Sequence, residues 1–261
     1  MNLEGLRVLV TRPAGQAAGL LEHLTREGAR PLHFAAIEIL DPHDRQALLD
    51  VIGRVADFHW AIFISPNAVD RAMALWRARG EAWPPHVRIA CIGRGSAREL
   101  KRFGVDTVVA PAGRFDSESL LLMPPLQAVN DQNIVIFRGE GGRELLGDTL
   151  EARGARVTYA DCYRRAPPTA DVSTLLRTWA RTGVDVVVVT SVEALRNLYE
   201  ALGQVGRRWL ARTPLVVSSE RIRAAAADLG LEGAIVMADN ATDDALIDAL
   251  RTWRAQGTPD N

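Results

Sequence analysis

The sequence predicts an α/β protein of two similar parallel-sheet domains joined by a two-stranded connector, on three observations. A single ungapped offset of 126 residues lays the first half on the second: Arg12 on Arg138, Gly15 on Gly141, Leu20 on Leu146, Leu24 on Leu150, and Gly28-Ala29-Arg30 on Gly154-Ala155-Arg156. The same offset carries Ser65 onto Ser191, Ala68 onto Ala194, Trp83 onto Trp209, Gly104 onto Gly230 and Leu120 onto Leu246. That period exceeds the roughly 20 to 50 residues of solenoids and propellers, so each copy is domain-sized. Near-continuous apolar strands alternate with amphipathic helical stretches, the pattern of parallel sheets covered on both faces. Finally, 261 residues suffice for two cores at about 100 to 150 residues each. Two similar units with a cleft between them are expected.

Element by element, Leu6 to Val10 is a short apolar strand running into Thr11-Arg12-Pro13. Gln16 to Glu27 places Ala17, Leu20, Leu21 and Leu24 at helical spacing, with Gly28 as the stop. Pro31 to Leu40 reads as a strand, Asp44 to Val55 as a helix, and Trp60 to Ile64 as a buried strand. Ser65 or Asn67 can cap the next helix, which passes through Ala68, Met73 and Trp76. Arg88 to Ile92 is a strand closed by Gly93-Arg94-Gly95-Ser96, followed by a helix that ends before Gly104. A short strand, Thr107 to Ala110, precedes a helix from about Ser117 capped by Asp116 or Ser117. The second copy repeats the series with strands at Ile134–Phe137, Val184–Thr190, Leu215–Val217 and Ala234–Met237. The tail from Ala255 to Asn261, with Gly257 and Pro259, reads as frayed.

Composition narrows the function. Apolar residues make up 48% and charged residues 24%, ordinary for a globular protein. A net charge of −1 gives no basic face for nucleic acid and no membrane-surface signature. The start lacks the basic and apolar regions of a signal peptide and no apolar stretch reaches the roughly 20 residues of a membrane span, so a cytoplasmic protein is expected. Cys91 and Cys162 lie in apolar or strand-like surroundings without metal-ligand spacing, and the histidines are scattered, so buried thiols and no metal are expected.

Ligands of parallel α/β sheets bind outside the carboxyl ends of the strands. The loops that matter are therefore Thr11 to Gly15, Ser65 to Ala68, Gly93 to Ser96, Arg138 to Gly142, Thr190 to Glu193 and Ser218 to Arg221, which pair by the 126 offset. The phosphate-loop pattern with its lysine is absent, and Gly93-Arg94-Gly95-Ser96-Ala97-Arg98 carries arginine where a dinucleotide fingerprint needs its third glycine. Nucleophile-elbow and HExxH patterns are missing as well. What remains are small and hydroxylic residues at helix N-termini, where free N–H groups and the helix dipole favour anions. Ser65, Ser96, Ser191 and Ser219 can equally be helix caps.

The stretches Val10-Thr11-Arg12-Pro13, Ile62-Phe63-Ile64-Ser65-Pro66-Asn67-Ala68-Val69, Ile92-Gly93-Arg94-Gly95-Ser96-Ala97, Phe137-Arg138-Gly139, Tyr163-Arg164-Arg165 and Val189-Thr190-Ser191 together resemble the uroporphyrinogen-III synthase family. The resemblance spans nearly the whole chain and rests on order and spacing, since each piece alone is weak. It implies that each domain draws on both halves: residues 1–40 with 167–261, and 41–166, joined by connector strands at about 36–41 and 161–167 that form a soft hinge. It implies a cofactor-free lyase, acting as a cytoplasmic monomer, that closes hydroxymethylbilane into uroporphyrinogen III. Water is lost and ring D is inverted through a spiro intermediate, and the substrate is handed over by hydroxymethylbilane synthase. Uncatalysed closure gives the type I isomer, so positioning and electrostatics carry most of the catalysis.

The substrate's eight carboxylates must be met locally. The resemblance places Arg12, Ser65, Asn67, Gly93, Arg94, Ser96, Arg138, Gly139, Arg164, Ser191 and Ser219 around the substrate, with guanidinium groups able to grip carboxylates bidentately. Tyr163 matches the family tyrosine proposed to assist hydroxyl departure. A phenol ordinarily titrates at about 10 and can donate a proton at neutral pH. Ser218-Ser219-Glu220-Arg221 departs from the family's glycine-rich turn. The alternatives are a non-catalytic two-domain binding protein for an anionic small molecule, which would need no Tyr163, and a sugar-phosphate transferase, which would need a base or nucleophile in these loops.

Overall fold

A computed structural model describes residues 3–113, 115–142 and 144–257. The chain forms β1 (Arg7–Val10), α1 (Ala14–Arg26), β2 (Arg30–His33), β3 (Glu38–Leu40), α2 (Arg45–Gly53), β4 (Trp60–Phe63), α3 (Pro66–Ala78), β5 (Arg88–Cys91) and α4 (Arg94–Arg102). It continues through α5 (Ser117–Leu121), β6 (Asn133–Gly139), α6 (Leu145–Ala152), β7 (Arg156–Ala166), α7 (Val172–Thr182) and β8 (Val186–Val189). The rest is α8 (Val192–Ala201), α9 (Gly203–Arg212), β9 (Leu215–Val217), α10 (Glu220–Asp228), β10 (Ile235–Met237) and α11 (Asp243–Ala255).

Two compact units result, one of residues 1–38 with 166–261 and the other of 39–165. The sheet of the first unit has the order β10-β9-β8-β1-β2, and the second has β3-β7-β6-β4-β5. The pairings among β1, β2, β8, β9 and β10 are parallel, as are those of β7 with β6, β6 with β4 and β4 with β5. Each sheet mixes the two sequence halves. Strand β1 lies beside β8, with Val8 opposite Val186, and β6 lies beside β4, with Ile134 opposite Trp60.

Both cores follow from strand composition. Val186 to Val189 are all fully buried, as are Trp60 to Phe63. Such strands are covered on both faces and need apolar side chains at every position. In the first unit Val8, Val10, Val186 and Val188 pack with Leu20 and Leu24 of α1 and with Leu246, Ile247 and Leu250 of α11. In the second, Phe63 stacks on Phe137 with ring centroids 4.8 Å apart and meets Val69 and Met73 of α3. Each such side chain contributes about 1.5–3 kcal/mol by leaving water.

Local punctuation agrees in most places. Gly28 and Gly154, equivalent under the offset, adopt φ of +80° and +85° just after α1 and α6, where a side chain would be strained. Asp44, Ser65 and Asp116 cap α2, α3 and α5 by accepting from Ala47, Ala68 and Ser119 N–H. Helix α1 begins at Ala14, two residues before the expected start. Two expectations need correction. The strand read over Pro31–Leu40 is two, β2 and β3, which belong to different sheets; between them Phe34 and Ala36 N–H still donate to Val10 and Thr11 C=O before the chain leaves the first sheet. Thr107–Ala110 reduces to a single bridge between Val109 and Ala90, its ladder stopped by Pro111, which has no N–H to donate. Residues 161–166 are the end of an 11-residue strand, β7. In the tail, α11 runs to Ala255, and residues 258–261 lie outside the described residues.

Candidate active site

The carboxyl ends of β4, β6 and β7 bring the second unit's candidate residues together. Ser65 follows β4 and accepts a hydrogen bond from Ala68 N–H at 3.1 Å as the N-cap of α3. Its Oγ also lies 3.0 Å from the hydroxyl of Tyr163, near the end of β7. Tyr163 is only 2% exposed. Opposite it on β6 is Gly139, where the register slips by one residue. A Cβ at position 139 would stand 2.7 Å from Tyr163 Cζ and 3.0 Å from its hydroxyl oxygen, so the phenol occupies the space that a glycine leaves. The main chain locks this contact, since Glu140 N–H donates to Tyr163 C=O at 2.9 Å.

Beside this pair, Arg138 is held from two sides. Its Nε donates to Asp161 Oδ1 at 2.9 Å, and its guanidinium carbon sits 3.8 Å from the centroid of Tyr159. Its Nη1 is buried with no hydrogen-bond partner among the described residues. A buried guanidinium nitrogen without an acceptor is costly unless a ligand supplies one. Gly142 closes the loop, its position permitting Arg138 Cδ, Gly139 O and Ile64 to lie within 4 Å of where a Cβ would stand. Glu140 accepts from His43 N–H at 2.6 Å and from its Nδ1 at 2.7 Å. The His43 backbone bond, then its imidazole, holds the Glu140 carboxyl below the usual range, with half-buried Arg164 adding to the effect.

The remaining residues of the second unit lie nearby in sequence but serve differently. Gly93, not Ser96, is the N-cap of α4, and Ser96 is buried inside that helix. Arg94 is exposed, its guanidinium 5.1 Å from the ring of Phe115. Asn67 is half-buried in the first turn of α3. Burial pushes the Cys91 thiol up to about 11 and raises that of Cys162 further, so neither offers a thiolate at neutral pH.

The first unit holds the equivalent loops without the equivalent chemistry. Arg12 is 8% exposed; its Nη1 donates to Asp243 Oδ1 at 2.5 Å and its Nη2 to Ala241 C=O. Asp243 opens α11, so Arg12 ties a helix N-terminus to the sheet. Ser191 caps α8 through Ala194 N–H at 3.1 Å. Ser219 precedes α10 without a side-chain cap bond. The counterpart of Tyr163 under the 126 offset is Ile37, so the phenol has no twin.

Among known proteins, a family model described as "Uroporphyrinogen-III synthase HemD" matches residues 18–248. The uroporphyrinogen-III synthase of Salmonella typhimurium is 36% identical over 94% of this chain and 100% of its own length, as is that of Escherichia coli. The chain belongs to the uroporphyrinogen-III synthase family. In fold it is similar to a uroporphyrinogen III synthase mutant from Thermus thermophilus, at TM-score 0.60 and 18% identity, covering 96% of this chain and 98% of that one. It is also similar to the Helicobacter pylori uroporphyrinogen-III synthetase, at TM-score 0.59 and 12% identity, covering 95% and 100%. Membership of the uroporphyrinogen-III synthase family makes the chain an enzyme, a cyclising lyase of porphyrin biosynthesis. No helix among the described residues is long and apolar enough to cross a membrane.

Two residues beside this candidate site escaped the sequence reading, Asp161 and Tyr159, which orient Arg138 from the neighbouring strand. Their shared signal is parity: Tyr159 and Asp161 are two apart on β7 and so share a face, whereas the register slip turns Tyr163 to the other face, into the core with Ala160 and Cys162.

Proposed function

We propose that the substrate is hydroxymethylbilane and that the carboxyl end of the second unit's sheet performs the proton chemistry of its closure to uroporphyrinogen III. The observation that carries this reading is the buried phenol of Tyr163, seated on Gly139 and hydrogen-bonded to Ser65. A protonated hydroxyl there can assist departure of the ring A hydroxyl as water, giving an azafulvenium cation. Attack from the substituted carbon of ring D then forms the spiro intermediate, which fragments and recloses with ring D inverted.

Arg138 supports the reading as a carboxylate holder, because its buried Nη1 has a donor to give and its Nε is already aligned by Asp161. Gly139, Arg94, Arg164, Asn67, Gly93 and Ser96 complete the second unit's share. Ser191 and Ser219 act as hydroxyl donors to propionate or acetate groups. Arg12 is reassigned from substrate to scaffold, since Asp243 and Ala241 occupy its guanidinium. The enzyme works as a cytoplasmic monomer. Because hydroxymethylbilane cyclises unaided to the wrong isomer, direct hand-over from hydroxymethylbilane synthase would limit that loss.

The test is an isomer assay. Hydroxymethylbilane is generated enzymatically, this protein is added, the products are oxidised and the type I and type III porphyrins are separated. Mainly type III is expected; type I alone from folded protein overturns the reading.

A further inference from the structure

Tyr163 presents a difficulty for any direct role, because 2% exposure leaves almost none of the ring or its hydroxyl open to a substrate. Ser65, hydrogen-bonded to that phenol, is half-buried and so more open than it. The direction of their hydrogen bond follows from counting protons. A buried phenolic hydrogen needs an acceptor, and among the described residues Ser65 Oγ, at 3.0 Å, is the partner the Tyr163 hydroxyl has. Ser65 Oγ already accepts from Ala68 N–H. With a second bond accepted from Tyr163, both lone pairs are used and the Ser65 hydrogen is left to donate to another group.

Resting on the proposed role of Tyr163, we infer that Ser65 is the group that touches the departing oxygen, with Tyr163 acting through it as the proton source. As the ring A carbon–oxygen bond breaks, the Ser65 proton passes to the leaving hydroxyl to form water, and the Tyr163 proton passes to Ser65 Oγ. Tyr163 is left as phenolate and the substrate as the azafulvenium cation, so charge is conserved. The proton released when the macrocycle closes returns to the phenolate and restores the pair. Gly139 is part of this device, since any side chain there would displace the phenol from Ser65. The first unit does not repeat the pair in sequence: Ser191 caps its helix in the same way, but the residue 126 before Tyr163 is Ile37.

The experiment compares Ser65→Gly, Ser65→Thr, Tyr163→Phe and the double variant Ser65→Gly/Tyr163→Phe, measuring kcat and KM for type III formation. Glycine is nearly as good an N-cap as serine, so Ser65→Gly removes the hydroxyl while keeping α3. Each single loss is expected to lower kcat by about tenfold to a hundredfold, as for one general acid partly replaced by water. Because the two hydroxyls act in series, the double variant should be no slower than the slower single, and Ser65→Thr should recover most of the rate. A double-variant loss equal to the product of the single losses, or a Ser65→Gly effect confined to KM, overturns the relay and leaves Tyr163 acting independently. An unchanged kcat in Tyr163→Phe instead removes the role of Tyr163 itself, and the relay falls with it.

Discussion

At the scale of single residues, Gly139 and Tyr163 form one steric unit. An added Cβ would lie 2.7 and 2.8 Å from phenol ring carbons, below any normal contact, and the ring is walled in by the second unit's core. Gly139→Ala is therefore expected to destabilise the protein by about 1–3 kcal/mol, the usual result of overpacking. It should also lower type III formation to the level of Tyr163→Phe. Denaturant unfolding and the isomer assay check both, and unchanged values in each would mean that the ring moves freely. The two equivalent arginines should separate in the opposite sense. Arg12→Ala removes the partner of Asp243 and should cost about 1–3 kcal/mol of stability, whereas Arg138→Ala should raise KM. If Arg12→Ala shifts KM and leaves stability alone, the scaffold assignment of Arg12 fails. Sequence made both arginines equal candidates, because they share a strand-end position; what distinguishes them is Asp243, 231 residues from Arg12, and Asp161 on a neighbouring strand. The Ser65 to Tyr163 bond, spanning 98 residues, was hidden for the same reason.

At the scale of elements, the amino end of the first unit's sheet offers a pH-sensitive link. Arg7 at the start of β1 donates to Asp185, just before β8, from its backbone N–H at 2.8 Å and from Nε at 3.0 Å. Burial pushes the Asp185 carboxyl up, but the hydrogen bonds from the Arg7 side chain and backbone outweigh it and hold the group below its ordinary value. A lowered folded pKa means that the unfolded chain takes up the proton first. The stabilisation is thus complete above the ordinary carboxylate pKa of about 3.9 and is lost as pH falls through the lower folded value. Because the Arg7 side chain is 36% exposed, its worth is on the order of 1 kcal/mol at most. Asp185→Asn should show that deficit in unfolding experiments at pH 7, and the gap to the parent should narrow below about pH 4. A gap that stays constant through acid would assign the effect to packing. Element by element, strongly apolar strands such as β8 and β4 were legible because burial on both faces demands it. Strand β7 was legible only at its end, since Arg156, Thr158 and Asp161 interrupt its apolar pattern and its pairing in the sheet between β3 and β6 defines it.

At the scale of the whole molecule, the two units exchange strands between sequence halves yet differ in how the chain builds them. Residues 39–165 are continuous, while the other unit is closed by two crossings, at 38/39 and 165/166. Glu38 Oε1 accepts from both the N–H and the hydroxyl of Thr169 at 2.6 Å, so the ends that would need joining in the discontinuous unit are already close. Each unit has its own buried sheet core, and cores of this size are enough for independent folding at about 100 residues or more. We propose that each unit is a domain in that sense. Residues 39–165 expressed alone, and residues 1–38 joined to 166–261 through a short glycine-serine linker, should each unfold in a single cooperative transition. Since Ser65, Gly139, Arg138 and Tyr163 all belong to the continuous unit, its isolated form should also keep the phenol shielded, which the tyrosine hydroxyl signal in amide and hydroxyl exchange experiments would report. Neither fragment should direct formation of the type III isomer, because the first unit's Ser191 and Ser219 would be missing from one and the proton pair from the other. A fragment of residues 39–165 that yields type III product by itself would confine the whole reaction to one domain and remove Ser191 and Ser219 from the substrate site.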